Sequence, residues 1–284
     1  MRKYYNTGTV LPHVSGAGGI VDHSGRLGRW LQPFRFRTFM MKHFYIALSF
    51  LTRIPTPEPG QLEPVDFGRS ALYYPLVGLL IGGLIYLPMW LLPQAAPQLL
   101  AAIMVVIWAA VTGGLHLDGL ADSTDAWLGG FGDEEKTHRI MKDPLVGAAG
   151  GIAIGAVLLL KYAALSVVVE KQLWWAVLLA PVLGRVAVLM LFMSTPYVRA
   201  GGLAGAVTEF MPRRAVMAVV TLCLALGLWL SWYGVLWLLL VFWLLRRLML
   251  QRLKGCTGDT AGAVVELSEV FWLLGVAVGL AASP

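Results

Sequence analysis

Long apolar stretches separated by short polar segments make up most of the chain from about residue 70 onward. A membrane-spanning helix needs about 20 consecutive, mostly apolar residues. In lipid, only helices or closed barrels satisfy their backbone hydrogen bonds, and continuous apolar stretches of this length favour helices. We therefore predict seven membrane spans, at residues 70–92, 96–115, 145–168, 173–193, 214–232, 233–250 and 264–283.

The region before the first predicted span has a different pattern. The segment 39–54 is apolar but short, and it carries a lysine and a histidine near its start. We predict an interfacial or re-entrant helix there rather than an eighth span. Residues 1–38 are rich in glycine, arginine and polar side chains, and they lack the apolar core and cleavage site of a signal peptide. They are predicted to be a mobile cytoplasmic tail, or a start assigned too far upstream of Met40 or Met41.

Composition agrees with a membrane protein. Of the 284 residues, 58% are hydrophobic and 13% are charged, whereas soluble domains carry about 25% charged residues. The net charge is +6, but the basic residues are scattered between apolar stretches. This distribution argues against nucleic-acid binding and favours anchoring by positive loops and attraction of an anionic substrate. The predicted fold class is all-α, a polytopic membrane helix bundle over residues 39–284.

The basic residues also predict how the bundle is oriented. If the region before the first span is cytoplasmic and the sides alternate, the opposite side holds only Lys171. The cytoplasmic segments then hold nine, three, two and four Lys or Arg residues, at 1–69, 116–144, 194–213 and 246–263. This bias follows the positive-inside rule, so we predict a multi-pass protein whose charged loops face the cytoplasm.

The segment 113–130 carries the most distinctive polar pattern. Asp118, Asp122 and Asp125 stand at positions i, i+4 and i+7, so on a helix they project from one face. Three like charges on one face repel one another unless a hard divalent cation neutralises them, and carboxylate oxygens are its preferred ligands. We predict a Mg²⁺ site for phosphoryl-group chemistry; the alternative is a solvated acidic face. His116 could orient a carboxylate or act as an acid–base group, or could be structural.

A second acidic group lies near the other end of the chain. Asp259 and Glu266 are seven residues apart and share a helix face, and Glu269 lies one turn beyond Glu266. A carboxylate at the start of a span is costly without a partner, although acids are favoured at helix N-termini. Both acidic groups fall on the predicted cytoplasmic side, so we predict one composite site.

Basic side chains could bind anionic groups at this site. The candidates on the predicted cytoplasmic side include Arg139, Lys142, Arg199, Arg213 and Arg214. Asp143, followed by Pro144, is predicted either only to cap the third span or also to be functional. Inside the spans, Lys161 is predicted either to snorkel to the interface or to be functional. Arg185 is predicted either to pair with a carboxylate in the bundle or to hold a phosphate.

Several of these stretches resemble the cobalamin synthase family, the adenosylcobinamide-GDP ribazoletransferases. The matching stretches are FYIALSFLTRIPTP at 44–57, YYPLVGLLIG at 73–82, GGLHLDGLADSTDAWLGG at 113–130, RIMKDPLVGAAGG at 139–151 and GCTGDTAGAVVELSE at 255–269. The resemblance covers nearly everything from about residue 41 to the end. It implies transfer of the adenosylcobinamide-phosphate group of adenosylcobinamide-GDP to α-ribazole or its 5′-phosphate, with release of GMP, in a bacterial cytoplasmic (inner) membrane.

The resemblance also implies roles for individual residues. Mg²⁺ would be held by acidic residues at Asp118, Asp122, Asp125, Asp259 and Glu266. One carboxylate, with Asp125 as a candidate, would accept the proton of the attacking hydroxyl group. His116 is a further catalytic candidate, and the substrate-binding candidates are Arg139, Lys142, Arg185 and Arg199. Other cobalamin-assembly enzymes could dock on the protein at the membrane.

Two other classes of protein remain as alternatives. A CDP-alcohol phosphatidyltransferase also places metal-binding aspartates on membrane helices, but the Ala-Arg that follows Asp-Gly in its motif is absent after Asp118 and Gly119. An ion-coupled transporter would suit the intramembrane charges and glycine-broken helices. Transporters often contain paired repeats, and no clear repeat is visible here.

Overall fold

The computed structural model describes residues 32–58, 60–141, 143, 145–199 and 202–282, with only the backbone described at 32–40 and 281–282. The chain divides into Met1–Thr38 and a larger compact unit, Phe39–Pro284. The predicted tail lies largely outside the described residues. Where the chain is described, its regular structure is α-helical apart from a short 3₁₀ helix, Ala71–Tyr73. The α-helices are α1 Gln32–Leu51, α2 Pro64–Ser70, α3 Tyr74–Leu91, α4 Pro97–Thr112, α5 Leu115–Gly130, α6 Glu134–Ile140, α7 Ala148–Glu170, α8 Trp174–Ser194, α9 Leu203–Phe210, α10 Arg213–Leu230, α11 Trp232–Leu253 and α12 Gly258–Ala282.

The described chain has six helical segments that are long and apolar enough to cross a membrane. They are Pro64–Leu91, Ala148–Glu170, Trp174–Ser194, Arg213–Leu230, Trp232–Leu253 and Gly258–Leu280. Helices α4 and α5 supply a seventh candidate if the bent pair counts as one span. This confirms the predicted polytopic, all-α fold. Helix α1 is not among the candidate spans, although it begins at Gln32, earlier than the predicted start at residue 39.

Large apolar side chains cover much of the outer surface of the bundle. Leu159 on α7 and Leu222 on α10 are exposed, and Trp229 on α10 is 80% exposed. Soluble monomers rarely expose extended apolar patches, whereas lipid favours such a surface. Helix α8, by contrast, is buried along almost its whole length, so it lies in the centre of the bundle.

The second predicted span, residues 96–115, corresponds to α4, which has 16 residues and is a candidate span only together with α5. Helix α4 ends at Thr112, and α5 begins at Leu115 after a bend of 87°. Between them, Gly113 and Gly114 have φ values of 61° and 68°. Glycine adopts this left-handed conformation without a Cβ penalty, so the two glycines end α4 and redirect the chain into α5.

The start of the last span also differs from the prediction at residue 264. Helix α12 begins at Gly258, with Asp259 in its first turn. Glu266 and Glu269 therefore lie inside the helix rather than at its N-terminal end. A helix dipole acts only within about one turn of the terminus, so it does not explain these two carboxylates, and they need partners from other helices.

Helix α12 contacts α5, α7, α8 and α11, and glycines bring its backbone very close to α5. A Cβ atom on Gly119 of α5 would come within 2.6 Å of the carbonyl oxygen of Asp259. One on Gly262 of α12 would come within 3.2 Å of the carbonyl oxygen of His116. Small residues permit such close helix crossings in membranes. This crossing brings the two acidic segments of the sequence together.

Candidate functional site

Three carboxylates meet where α5 crosses the start of α12. Asp118 is exposed and Asp122 partly exposed on successive turns of α5, and Asp259 is partly exposed on α12. The negative charges of Asp118 and Asp259 both repel that of Asp122, and Asp118 also repels Asp259. We call Asp118, Asp122 and Asp259 the acidic cluster. It contains members of both acidic groups that the sequence singled out.

A basic side chain lies beside the acidic cluster. Nη1 of Arg199 donates a hydrogen bond to Oδ2 of Asp259 at 3.0 Å, and the two side chains are 44% and 21% exposed. The segment that carries Arg199 is held in place by backbone hydrogen bonds, from Val198 N to Cys256 O at 3.0 Å and from Cys256 N to Pro196 O at 2.8 Å. Burial raises the pKa of the Cys256 thiol to about 12, so this cysteine stays protonated. The half-exposed guanidinium is available to an anionic ligand.

Asp125, the third aspartate on α5, points to a different partner. Its two carboxylate oxygens accept hydrogen bonds from Gly147 N at 2.7 Å and Gly150 N at 2.9 Å. These amides belong to the N-cap and first turn of α7, where a helix favours a negative charge. The cap predicted at Asp143 was therefore wrong, because α7 starts later and is capped from another helix.

A second group of charges lies inside the bundle. Nζ of Lys161 on α7 donates to Oε2 of Glu266 and to Oε2 of Glu269, each at 2.7 Å. Arg185 on α8 pairs with Glu269, and none of the four side chains is more than 3% exposed. The Lys161 ammonium also lies 4.0 Å from the centroid of the Trp108 ring on α4. We call Lys161, Arg185, Glu266 and Glu269 the buried charge network. Two cations oppose two carboxylates in it, so the charges compensate one another.

The contacts in the buried charge network can be compared with the roles predicted for its members. Lys161 does not snorkel, because its ammonium group is held inside the bundle. Arg185 pairs with a carboxylate, the first of its two predicted roles, and has no exposed surface for a substrate. Glu266, predicted as a metal ligand, has Lys161 as its partner in this structure.

His116 lies on the buried side of α5. It is two residues before the exposed Asp118, so the two side chains point in nearly opposite directions from the helix. The side chain is 4% exposed and lies near the cations Lys161 and Arg185. Its Nδ1 has no hydrogen-bond partner among the described residues. The predicted acid–base role of His116 stays a prediction.

The other basic candidates have less defined positions. Arg139 is exposed in the last turn of α6, and Lys142 lies outside the described residues. Arg53 is a further basic residue at the bend that the sequence pattern does not indicate. A Cβ atom on Gly113 would come within 2.1 Å of its Cγ. This places a further basic residue next to the start of α5. A lone arginine in a loop gives no periodic signal, so only its place in a matching stretch could have indicated it.

The described residues contain no group of three or more His, Cys, Asp and Glu side chains arranged to hold a metal ion. The acidic cluster nonetheless has the donor chemistry that Mg²⁺ prefers, carboxylate oxygens that are partly exposed and repel one another. Mg²⁺ commonly uses one or two protein carboxylates and completes its coordination with water and substrate phosphates. The residues present therefore fit an ion that is bound jointly with a phosphorylated substrate.

The fold and site define a polytopic helical membrane protein with a carboxylate-rich site at a helix crossing. Residues 43–277 match the family model described as cobalamin-5-phosphate synthase, CobS. The chain belongs to this family, which confirms the resemblance seen in the sequence. No solved structure matches the chain significantly.

Curated relatives from several pseudomonads carry the name adenosylcobinamide-GDP ribazoletransferase. The protein of Pseudomonas putida strain KT2440 is 52% identical over 240 residues, which cover 84% of this chain and 100% of the relative. That of Pseudomonas fluorescens strain Pf-5 is 50% identical over 242 residues, with coverage of 84% and 100%. That of Pseudomonas syringae pv. syringae strain B728a is 48% identical over 246 residues, again with 84% and 100% covered.

Proposed function

We propose that this chain is an adenosylcobinamide-GDP ribazoletransferase. It transfers the adenosylcobinamide-phosphate group of adenosylcobinamide-GDP to α-ribazole or α-ribazole 5′-phosphate and releases GMP, forming adenosylcobalamin or adenosylcobalamin 5′-phosphate. The observation that carries this proposal is the family match over residues 43–277, joined by full-length relatives of that name at about half identity. The acidic cluster with Arg199 beside it supports phosphoryl-group chemistry at this site.

The reaction is a displacement at phosphorus. The ribose hydroxyl oxygen forms a bond to the phosphorus that carries the cobinamide aminopropanol. The bond from that phosphorus to the bridging oxygen of the diphosphate breaks, GMP leaves with the electron pair, and the hydroxyl proton passes to a base. Such a reaction depends on alignment and charge stabilisation more than on covalent catalysis.

The side chains at the crossing supply these functions. Arg199 would bind a phosphate of the substrate, because its guanidinium is half-exposed and can exchange Asp259 for another anion. Asp118 and Asp259 would hold Mg²⁺, which when bound neutralises negative charge on the phosphate oxygens. Asp122 is our candidate for accepting the hydroxyl proton, because both oxygens of Asp125 already accept backbone hydrogen bonds.

The charge distribution supports an orientation in the bacterial inner membrane with the site in the cytoplasm. Lys and Arg residues are concentrated in the segments that include α6 and the C-terminal end of α11, while Lys171 is alone on the other side. This orientation would give the site direct access to nucleotide-linked substrates. Docking of other cobalamin-assembly enzymes on the same side stays a prediction.

The proposal is tested with purified protein in detergent. We expect a cobamide product and GMP from adenosylcobinamide-GDP and α-ribazole 5′-phosphate with Mg²⁺. We also expect activity to vanish with EDTA and return when Mg²⁺ is restored. For the phosphatidyltransferase class, the control is CDP-diacylglycerol with small alcohol acceptors and measurement of CMP release. For the transporter class, the control is uptake into reconstituted vesicles. Turnover in either control, with none from adenosylcobinamide-GDP, would contradict the proposal.

A further inference from the structure

One member of the buried charge network, Glu266, shares a helix face with one member of the acidic cluster, Asp259. Glu266 follows Asp259 by seven residues, which is two helical turns, so both project from one side of α12. Gly262 lies between them and packs against the backbone of α5 at His116. Helix α12 is therefore packed against α5 at Gly262, and it contacts α7 through Glu266 and Lys161 one turn after Gly262.

Helix α7 is in turn fixed to α5. Asp125 of α5 accepts hydrogen bonds from Gly147 and Gly150 at the start of α7. Lys161 lies eleven residues after Gly150, about three turns and about 16 Å along the same face. Helices α5, α7 and α12 thus contact one another in pairs, and two of the three contacts include buried or partly buried charges.

We propose that Lys161 is a positioning residue that holds α12 against α7 and thereby fixes Asp259 beside Asp118 and Asp122. The ammonium group is the partner that Glu266 and Glu269 share, and Trp108 contacts it from α4. Without it, Arg185 alone faces two buried carboxylates, and an uncompensated charge in a membrane interior is strongly destabilising. Lys161 is 3% exposed, so it acts through α12 rather than on the substrate. The catalytic part of this inference rests on the proposed function.

The inference predicts a specific relation between Lys161 and Glu266. If Glu266 serves the helix contact, neutralising it should offset the loss of Lys161, since the pair is then replaced by uncharged groups. If Glu266 is instead a metal ligand, neutralising it should weaken Mg²⁺ binding and should not restore the stability or the kcat lost with Lys161. Arginine at position 161 keeps the charge and should keep the contact.

The experiment compares four proteins: wild type, Lys161→Met, Lys161→Arg and the double variant Lys161→Met/Glu266→Gln. Thermal unfolding is followed in one detergent, and kcat, KM and half-saturating Mg²⁺ are measured on the monodisperse fraction. Lys161→Met should lower the unfolding midpoint by at least about 5 °C and kcat by at least about tenfold, with KM little changed. The double variant should recover about half of the loss in unfolding midpoint and about half of the loss in kcat. Its half-saturating Mg²⁺ concentration should stay within about threefold of that of wild type. Lys161→Arg should stay within about threefold of the wild-type kcat.

Several results would overturn the inference. A Lys161→Met protein with wild-type kcat, or a double variant no more stable than the single one, removes the role of Lys161. A shift in half-saturating Mg²⁺ beyond about threefold in the double variant makes Glu266 a ligand instead. If Lys161→Met cannot be purified in a folded state, the yields of folded protein from membranes are compared for the double variant and Lys161→Arg. If neither of these variants yields folded protein either, the inference is overturned. The unfolding midpoints test whether Lys161 holds α12 against α7, and they can be measured even if wild type shows no turnover. Failure of this inference can therefore be told apart from failure of the proposed function.

Discussion

The guanidinium of Arg199 binds the carboxylate of Asp259 at 3.0 Å, and this ion pair joins the loop after α8 to the first turn of α12. Both side chains remain partly exposed, so the pair adds little to stability. The charge of Arg199 also acts on Asp122, so Arg199 is our candidate for binding the phosphates of the substrate.

Replacing Arg199 should therefore weaken substrate binding without unfolding the protein. We expect Arg199→Ala to raise the KM for adenosylcobinamide-GDP at least about tenfold, since a charged hydrogen bond contributes about 1.5–3 kcal/mol, and to shift the unfolding midpoint little. Arg199→Lys should recover part of the loss, because lysine keeps the charge but not the planar fork. Arg247→Ala is the control, since Arg247 is exposed on α11 beside Trp243. Equal KM values for wild type and Arg199→Ala would contradict the role of Arg199.

Replacing Asp125 should lower the stability of the protein, because its carboxylate caps α7. Asp125→Ala leaves the amides of Gly147 and Gly150 without their acceptors, and loss of a helix cap costs about 0.5–2 kcal/mol. A lower unfolding midpoint in detergent is the expected result. Asp143→Ala is the matched control, because among the described residues the Asp143 carboxylate accepts a single, exposed hydrogen bond, from Leu145 N. If the two variants unfold alike, Asp125 does not cap α7.

The close crossing of α5 and α12 is tested by adding a single methyl group. Gly119→Ala places a Cβ atom against the backbone of Asp259, so the helices must separate, and overpacking of this kind costs about 1–3 kcal/mol. We expect a lower unfolding midpoint and at least about a tenfold loss of kcat. Gly151→Ala on α7 has open space around it and should be neutral or slightly stabilising. Equal behaviour of the two variants would show that the crossing does not position the acidic cluster.

The sequence predicted the spans well because span length and apolar content are local properties. Residues 145–168 and 173–193, for example, differ by only a few positions from α7 and α8. It also predicted that Asp118 and Asp122 share a helix face, because helical spacing depends only on local geometry. The bend at Gly113 was not predicted, since two adjacent glycines are equally compatible with a flexible loop.

The partners of the buried charges could not be predicted from the sequence. Lys161 is separated from Glu266 and Glu269 by 105 and 108 residues, and hydrophobic periodicity carries no information about which helices pack together. For the same reason, Asp125 was grouped with Asp118 and Asp122, although its side chain meets the start of α7. Sequence spacing identified the charged residues, and only helix packing distinguishes those that face the site from those that hold helices together.

The predicted orientation has a direct test with single cysteines. With Cys223 and Cys256 replaced by serine, we expect a membrane-impermeant maleimide to label Lys171→Cys in intact cells. Glu134→Cys, at the exposed start of α6, should react only after permeabilisation, because the positive-inside rule places it in the cytoplasm. The opposite labelling pattern would put the acidic cluster on the outer side of the membrane and contradict the proposed access of the substrates.

The central claim is that carboxylates at the crossing of α5 and α12 carry out the transfer. The most direct measurement is the rates of GMP release and cobamide formation by wild type, Asp122→Asn and Asp133→Asn in the same lipid nanodiscs. Asp133 is the matched control, because it caps α6 at an exposed position and asparagine is an equally good N-cap. We expect one GMP per cobamide and equal kcat for wild type and Asp133→Asn, and at least about a hundredfold lower kcat for folded Asp122→Asn. Wild-type turnover by Asp122→Asn would contradict it.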